Sequence, residues 1–223
     1  MDRIKVFISY SSEEKHIGGR LKQCLINFCG YDAFIAHDDI PGSEEWEKEI
    51  LHAIKNTNFF VPLVSQHFKQ SSYTDQETGY AVGLNKKIIP IKLDSTDPYG
   101  FINKFQALQY KKIPPTQTWS RTYKTDNMAE LATSIAHIGL HYEQKSIYYK
   151  KSLESLVYAL CHSGSFDTTN VIIQILSKCN HHLSSEQVKQ ITEAIQTNSQ
   201  VVGAFRLAEL KNILNNTYGC HID

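Results

Sequence analysis

The first 140 residues alternate short β-rich runs with amphipathic helical segments, and this alternation limits the fold more than any other feature. Two of the runs, residues 59–64 and 88–93, are almost entirely apolar, as strands are when helices cover both faces of a sheet. Strict alternation of this kind predicts a parallel sheet packed between helices. The predicted strands span residues 5–9, 32–36, 58–65, 87–93 and 107–110. The predicted helices span residues 13–28, a segment that begins near Trp46, residues 73–84 and residues 128–140.

The pattern changes at about residue 144, after which neither strand alternation nor proline occurs. Apolar stripes at helical spacing predict helices over residues 146–162, 168–179, 184–196 and 201–215. We therefore predict an α/β domain over residues 1–143. An all-helical domain of about four helices is predicted over residues 144–223.

Composition excludes several classes of function. The chain carries 23 basic and 23 acidic side chains, which gives no general attraction to nucleic acid or to acidic membranes. The five cysteines show no CxxC spacing, which argues against a metal or redox motif. The apolar runs are too short for a membrane span or a signal-peptide core. We expect a cytoplasmic protein with no metal and no cofactor.

Two polar clusters follow predicted strands, where parallel sheets place their ligands. Ser9 and Tyr10 begin a hydroxyl-rich run that continues with Ser11 and Ser12, which either holds an anion or simply caps the next helix. His37 and Asp38 lie in a loop that either folds over a ligand or is only solvated. Trp46, which follows this loop, is either a core residue or an aromatic wall for a flat ring.

The third cluster lies on the helix predicted over residues 73–84, with Ser72 as its expected cap. Glu77 is four positions after Tyr73 and therefore shares its helix face, which continues with Ala81 and Leu84. A carboxylate on an apolar and aromatic face is costly unless it has a partner or a function. A lone glutamate on a helix is otherwise an ordinary solvated charge.

Motifs in these segments resemble those of Toll/interleukin-receptor (TIR) domains. The opening motif of the family is matched by KVFISY at residues 5–10. The second motif and BB loop of bacterial TIR proteins resemble FIAHDDI at residues 34–40, followed by Glu45-Trp46 and Glu49-Ile50. The helix C signature is similar to YTDQE at residues 73–77, and the last segment to PYGF and FQAL at residues 98–101 and 105–108.

The resemblance implies a flavodoxin-like fold with a five-stranded parallel sheet. Many TIR domains cleave NAD at the nicotinamide–ribose bond with a glutamate on helix C, commonly four residues after a tryptophan. Glu77 occupies the position of that glutamate, and Tyr73 stands where the tryptophan would be. The resemblance therefore implies Glu77 as the catalytic residue. The implied substrate-binding residues are Ser9, Tyr10, His37, Asp38, Trp46 and Tyr73.

The implied function is that of an NAD glycohydrolase or cyclase, with NAD as substrate rather than cofactor. It would release nicotinamide and either ADP-ribose or a cyclic isomer, as a signal in anti-phage immunity of the Thoeris-like type. The implied partners are other copies of the TIR domain and a downstream effector that senses the nucleotide product. The alternatives are a non-enzymatic adaptor that acts through TIR–TIR assembly, and a sensor that binds NAD without turnover.

Overall fold

The computed structural model describes residues 2–35, 46–113, 125–179 and 182–222. The chain divides into two compact units. The first, which we call the sheet unit, contains Lys5–Cys24 and Asp32–Ala132. The second, the helical unit, contains Met1–Ile4, Leu25–Tyr31 and Thr133–Asp223. The domain boundary expected between residues 143 and 144 stays a prediction.

The sheet unit is built on a parallel sheet, as the alternation predicts. Its strands are β1 Lys5–Ser9, β2 Asp32–Ile35, β3 Phe59–Val64, β4 Lys87–Ile88, β5 Ile91–Lys92 and β6 Leu108–Gln109. They are arranged in the order β2-β1-β3-β5-β6, with β4 also paired to β3, and every pair is parallel. Surrounding helices complete the mixed α/β fold.

The strand predicted over residues 87–93 is interrupted at Ile89 and Pro90. Strand β3 pairs first with β4 and then with β5 along the same edge. Because Pro90 has no backbone N–H, it cannot donate to the ladder at this point. Counting β4 and β5 as one interrupted strand gives the five-strand order of flavodoxin-like sheets.

The described residues form ten α-helices, and the longer ones lie where the apolar stripes of the sequence predict helices. They are α1 Lys15–Cys29, α2 Trp46–Asn56, α3 Gln66–Gln70, α4 Ser72–Gly83, α5 Met128–Leu140, α6 Ile147–Cys161, α7 Phe166–Leu176, α8 Ser185–Thr197, α9 Ser199–Val202 and α10 Leu207–Tyr218. In the sheet unit, Ile50 and Ile54 of α2 and Ala81 of α4 pack with Phe7 and Phe60 in one buried cluster. This packing holds α2 and α4 against the sheet.

Local capping differs from the sequence prediction at the start of two helices. A 3-10 turn, Ser12–Glu14, precedes α1 where a continuous helix from residue 13 was predicted. The cap of α4 is Ser71 rather than Ser72, because the Ser71 hydroxyl accepts a hydrogen bond from the Thr74 backbone N–H. The shift of one residue leaves Tyr73 and Glu77 on the helix.

The helical unit has its own buried core, formed by side chains of α6 to α10. Helix α8 begins with a capping box, in which the side chains of Ser184 and Gln187 each accept a hydrogen bond from the other's backbone N–H. The prediction of a single helix over residues 201–215 is wrong. The structure has two helices in this region, α9 and α10, and Gly203 caps the C-terminal end of α9. Within the described residues, no helix is long and apolar enough to cross a membrane.

Candidate active site

A cleft of about 400 Å³ lies at the carboxyl ends of the neighbouring strands β1 and β3. Residues 10–13, which follow β1, form one wall, and side chains from α3 and α4 form another. Trp46 at the start of α2 also lines the cleft. In open parallel sheets, ligands bind where the connections from adjacent strands diverge, and β1 and β3 are the strands at that point.

Glu77 of α4 meets the end of β1 in this cleft. The Ser9 hydroxyl, on the last residue of β1, donates a hydrogen bond of 2.5 Å to Oε2 of Glu77. Ser9 is only 1% exposed, so its hydroxyl is fixed by the sheet. Part of the Glu77 side chain reaches solvent, whereas its carboxyl group is largely surrounded by protein. The carboxylate that the sequence places on an apolar and aromatic face thus has a hydrogen-bond partner, Ser9.

The environment shifts the protonation of Glu77. Burial raises the pKa of its carboxyl from 4.5 to about 7, because removal from water disfavours the charged form. The hydrogen bond from Ser9 stabilises the carboxylate and lowers the pKa, but by less than burial raises it. A carboxyl with a strongly shifted pKa in a cleft is typical of functional sites.

Two aromatic rings stand at the mouth of the cleft. The Trp46 and Tyr73 rings lie 5.2 Å apart between centroids, at an interplanar angle of 59°. Tyr73 is 54% exposed and Trp46 is half-buried, so both side chains are partly accessible to solvent. They can therefore contact a flat ring of a ligand.

Tyr10 and Ser11 lie on the wall that follows β1. Tyr10 is buried, and its ring packs so closely on Gly18 of α1 that a Cβ there would lie 3.0 Å from it. Ser11 precedes the 3-10 turn but its side chain makes no capping hydrogen bond. Ser11 is one of the residues that line the cleft.

The structure therefore brings together most of the described residues that the sequence singled out. Tyr10, Trp46, Tyr73 and Glu77 line one cleft, and Ser9 bonds to Glu77. His37 and Asp38 lie outside the described residues. Glu77 as the catalytic residue, and the others as substrate-binding residues, stay predictions.

Sequence reasoning missed part of the lining. Glu13, His67, Gln70 and Thr74 also face the cleft. The sequence analysis assigns no element to residues 66–70, but they form the short helix α3. The sequence did contain a signal for the start of this helix, a serine three residues before an apolar residue. In the structure Ser65 caps α3, because its hydroxyl accepts a hydrogen bond from the Phe68 backbone N–H.

The described lining carries the carboxylates Glu13 and Glu77 and the imidazole of His67, with no lysine or arginine. Among the described residues, no group of three or more His, Cys, Asp or Glu side chains could hold a metal ion. Among the described lining residues, the shielded carboxyl group of Glu77 thus lies beside the aromatic rings of Trp46 and Tyr73.

The family model of the TIR domain matches residues 6–131 of this chain. The chain belongs to the TIR domain family. This family includes NAD-cleaving enzymes and scaffolds, acts in signal transduction, and generally self-associates. The match covers the strands and helices that form the cleft, so the candidate site lies inside the TIR domain.

Three solved structures resemble part of this chain. The TIR domain of a Toll-related receptor from Hydra magnipapillata is 26% identical, with a TM-score of 0.41, and the match covers 47% of this chain and 82% of that chain. A 2-desoxiribosyltransferase from Leishmania mexicana is 14% identical, with a TM-score of 0.36 and coverage of 42% and 67%. A CMP N-glycosidase from Clostridium botulinum is 17% identical, with a TM-score of 0.37 and coverage of 58% and 98%. No curated protein matches the chain.

Proposed function

We propose that this TIR domain cleaves NAD at the nicotinamide–ribose bond, with Glu77 as the catalytic residue. The observation that carries the proposal is the shielded Glu77 carboxyl, held at 2.5 Å by Ser9 in the cleft. A scaffold that only binds other TIR domains needs no such group. Membership of a family that includes NAD-cleaving enzymes supports the same conclusion.

The reaction suits a single carboxylate. When the bond between the ribose C1′ and the nicotinamide nitrogen breaks, its electron pair neutralises the pyridinium ring, so no acid is needed for the leaving group. Positive charge develops on the ribose, as in other glycoside cleavages. An ionised Glu77 near C1′ would stabilise this charge more strongly than water does, because the surrounding protein excludes solvent.

The acceptor decides the product. Water adding to C1′ gives ADP-ribose and releases a proton, for which the Glu77 carboxylate is a suitable base. A hydroxyl or the adenine of the same molecule adding to C1′ gives a cyclic isomer. We propose that this product is a cytoplasmic signal in anti-phage defence, sensed by a downstream effector, and that TIR–TIR contacts assemble the active form.

The substrate would enter past the aromatic pair. Trp46 and Tyr73 offer faces for the nicotinamide ring at the mouth of the cleft. Ser9 orients the carboxylate, and Tyr10 forms the adjacent wall. His37 and Asp38 belong to the proposed substrate-binding set on the family resemblance alone.

The test is nicotinamide release from NAD, followed by chromatography over a range of protein concentrations that includes the assembled state. Glu77→Gln should keep the fold and lower turnover by about 100-fold or more, because an amide cannot supply the negative charge. Asp75→Asn is the matched control, since it makes the same change on an exposed side of α4. Unchanged release from Glu77→Gln would refute the role of Glu77, and no release from the wild-type protein at any concentration would favour the scaffold.

A further inference from the structure

Glu14 is a second buried carboxylate beside the cleft, and the proposed reaction does not use it. The residue is only 6% exposed, although it belongs to the short 3-10 turn between β1 and α1. Burial of a carboxyl group is costly unless specific contacts offset the loss of hydration. Its position therefore requires an explanation from its contacts.

One contact joins Glu14 to the other wall of the cleft. The Ser65 hydroxyl donates a hydrogen bond of 2.6 Å to Oε1 of Glu14. The same hydroxyl accepts a hydrogen bond of 3.0 Å from the Phe68 backbone N–H and so caps α3. Ser65 is 3% exposed, so this chain of hydrogen bonds lies in the interior.

Both segments joined in this way line the cleft. The Glu14 backbone N–H donates to the Ser11 carbonyl oxygen at 2.8 Å, which fixes the turn that carries residues 10–13. On the other side, α3 presents His67 and Gln70. The bond between Glu14 and Ser65 thus sets the spacing between a wall that follows β1 and a wall that follows β3.

The second carboxylate oxygen of Glu14 indicates that the residue is not there for stability alone. Its Oε2 is buried and has no hydrogen-bond partner in the part of the chain that the structure describes. A buried polar atom without a hydrogen-bond partner destabilises the folded state, because it has lost its hydration without compensation. A buried polar group that destabilises the fold beside a binding cleft is more typical of a functional site than of a site selected for stability.

We infer that Glu14 is a positioning residue of the cleft, which holds the segment after β1 and the segment after β3 at the separation that NAD binding requires. The inference rests on the proposed function. Glu14 does not line the cleft, so it acts through Ser65 and the 3-10 turn rather than by contact with substrate. Loss of its carboxyl should therefore weaken substrate binding more than it slows the chemical step.

The experiment measures kcat and KM for nicotinamide release from NAD in four full-length proteins. Glu14→Ala should raise KM about tenfold while kcat stays within about twofold. Glu14→Gln keeps an oxygen that can accept from Ser65, so it should restore KM to within about threefold of the wild-type value.

Thr57→Ala is the control for a loss of stability alone. Thr57 is buried near the amino ends of β1 and β3, whereas the cleft lies at their carboxyl ends. Its hydroxyl lies within hydrogen-bonding distance of the carbonyl oxygens of Lys5 and Phe59, at 2.9 and 3.0 Å. It should lower the melting temperature without changing KM. An unchanged KM in Glu14→Ala, or an equal rise in Thr57→Ala, would overturn the inference while leaving the proposed function intact.

Failure of the proposed function is separately visible, because the wild-type protein would then release no nicotinamide. In that case the dissociation constant for NAD, measured by calorimetry on the same four proteins, replaces KM. An affinity about tenfold weaker in Glu14→Ala alone supports the inference. Equal affinities, or no binding of NAD by the wild-type protein, reject it.

Discussion

At the scale of single residues, the contact between Ser9 and Glu77 ties the end of a strand to a carboxyl group that titrates near neutral pH. Two effects oppose each other there. Burial raises the pKa of Glu77, and the Ser9 hydrogen bond lowers it. Substitution of Ser9 removes the hydrogen bond, and substitution of Glu77 removes the buried carboxyl group. Activity and stability measurements on these variants therefore test the electrostatics of the cleft.

The pH dependence of NAD cleavage should follow the ionisation of Glu77. Only the charged carboxylate stabilises a positive ribose, so kcat/KM should rise as the pH increases through about 7. Ser9→Ala removes a hydrogen bond that favours the charged form, and should move this rise to higher pH by up to about one unit. The measurement is nicotinamide release from about pH 5 to about pH 9. A wild-type rise centred near pH 4.5, the ordinary value for this group, would contradict the prediction.

The same pKa makes a prediction about stability. The folded protein holds the proton of Glu77 up to about pH 7, whereas the ordinary value of 4.5 applies on unfolding. Between these values the folded state binds more protons, so this group makes the protein less stable as the pH rises. Glu77→Gln should therefore increase the free energy of unfolding by about 1–3 kcal/mol near pH 8, and change it little near pH 4.

Urea unfolding at these two pH values measures the effect, with Glu47→Gln as a control because Glu47 is exposed on α2. Equal stability of wild-type protein and Glu77→Gln near pH 8 would show that the carboxyl is not desolvated. The prediction also separates folding from function, since the same variant should lose turnover.

At the scale of secondary-structure elements, α1 shows how a glycine in the sequence determines where a helix ends. Gly30 follows the helix with a φ of +65°, a conformation that L residues other than glycine rarely adopt. The Gly30 N–H donates to the Ile26 carbonyl oxygen and the Tyr31 N–H to that of Leu25, which closes the last turn. Within the helical unit, the backbone of Gly30 also lies close to the carbonyl oxygen of Ser155. A Cβ at position 30 would be only 2.0 Å from that oxygen, so a residue with a side chain does not fit there.

Gly30→Ala should therefore destabilise the protein by about 2–5 kcal/mol, through both backbone strain and steric overlap. Gly19→Ala is the matched control, since Gly19 lies inside α1 and a Cβ there meets no atom within 4 Å. This control should be neutral or more stable by about 0.5–1 kcal/mol. Thermal unfolding compares the two variants, and similar melting temperatures would contradict the assignment.

Elements with strong local signals were predicted well. Strand β1 and helix α5 have the predicted bounds. Elements decided by tertiary contacts were not. Helix α3 and the break between α9 and α10 are too short for a periodic pattern, and the strand predicted over residues 87–93 is interrupted by Pro90.

At the scale of the whole molecule, the two compact units interleave along the chain. Residues 25–31 group with the C-terminal helices, although they lie between the first two strands of the sheet. Within the helical unit, the Tyr31 hydroxyl donates to Ser152 Oγ at 3.1 Å, and the Ile4 backbone N–H donates to Ser155 Oγ at 2.9 Å. The C-terminal helices therefore satisfy polar groups that belong to the first 31 residues.

A chain that ends at residue 143 should consequently be less stable than the full protein. It would expose Tyr31 and Cys29, which are fully buried, and leave the Tyr31 hydroxyl without Ser152. We expect a lower melting temperature, together with increased binding of a hydrophobic dye. A fragment as stable as the full chain would show that residues 1–143 form an independent domain. We also predict that residues 144–223 govern assembly, and a comparison of the oligomer size of the full protein with that of the fragment tests this.

The sequence by itself determined the alternation of strands and helices, the apolar faces that build the two cores, and the placement of Tyr73 and Glu77 on one helix. These features follow from periodicity and capping, which act over a few residues. Only the tertiary structure decided which groups meet. Ser9 and Glu77 are separated by 68 positions and Glu14 and Ser65 by 51, and their contacts depend on how β1 and β3 pair. The shifted pKa of Glu77 likewise results from burial by several elements together, because the cost of removing a charge from water depends on everything that surrounds it.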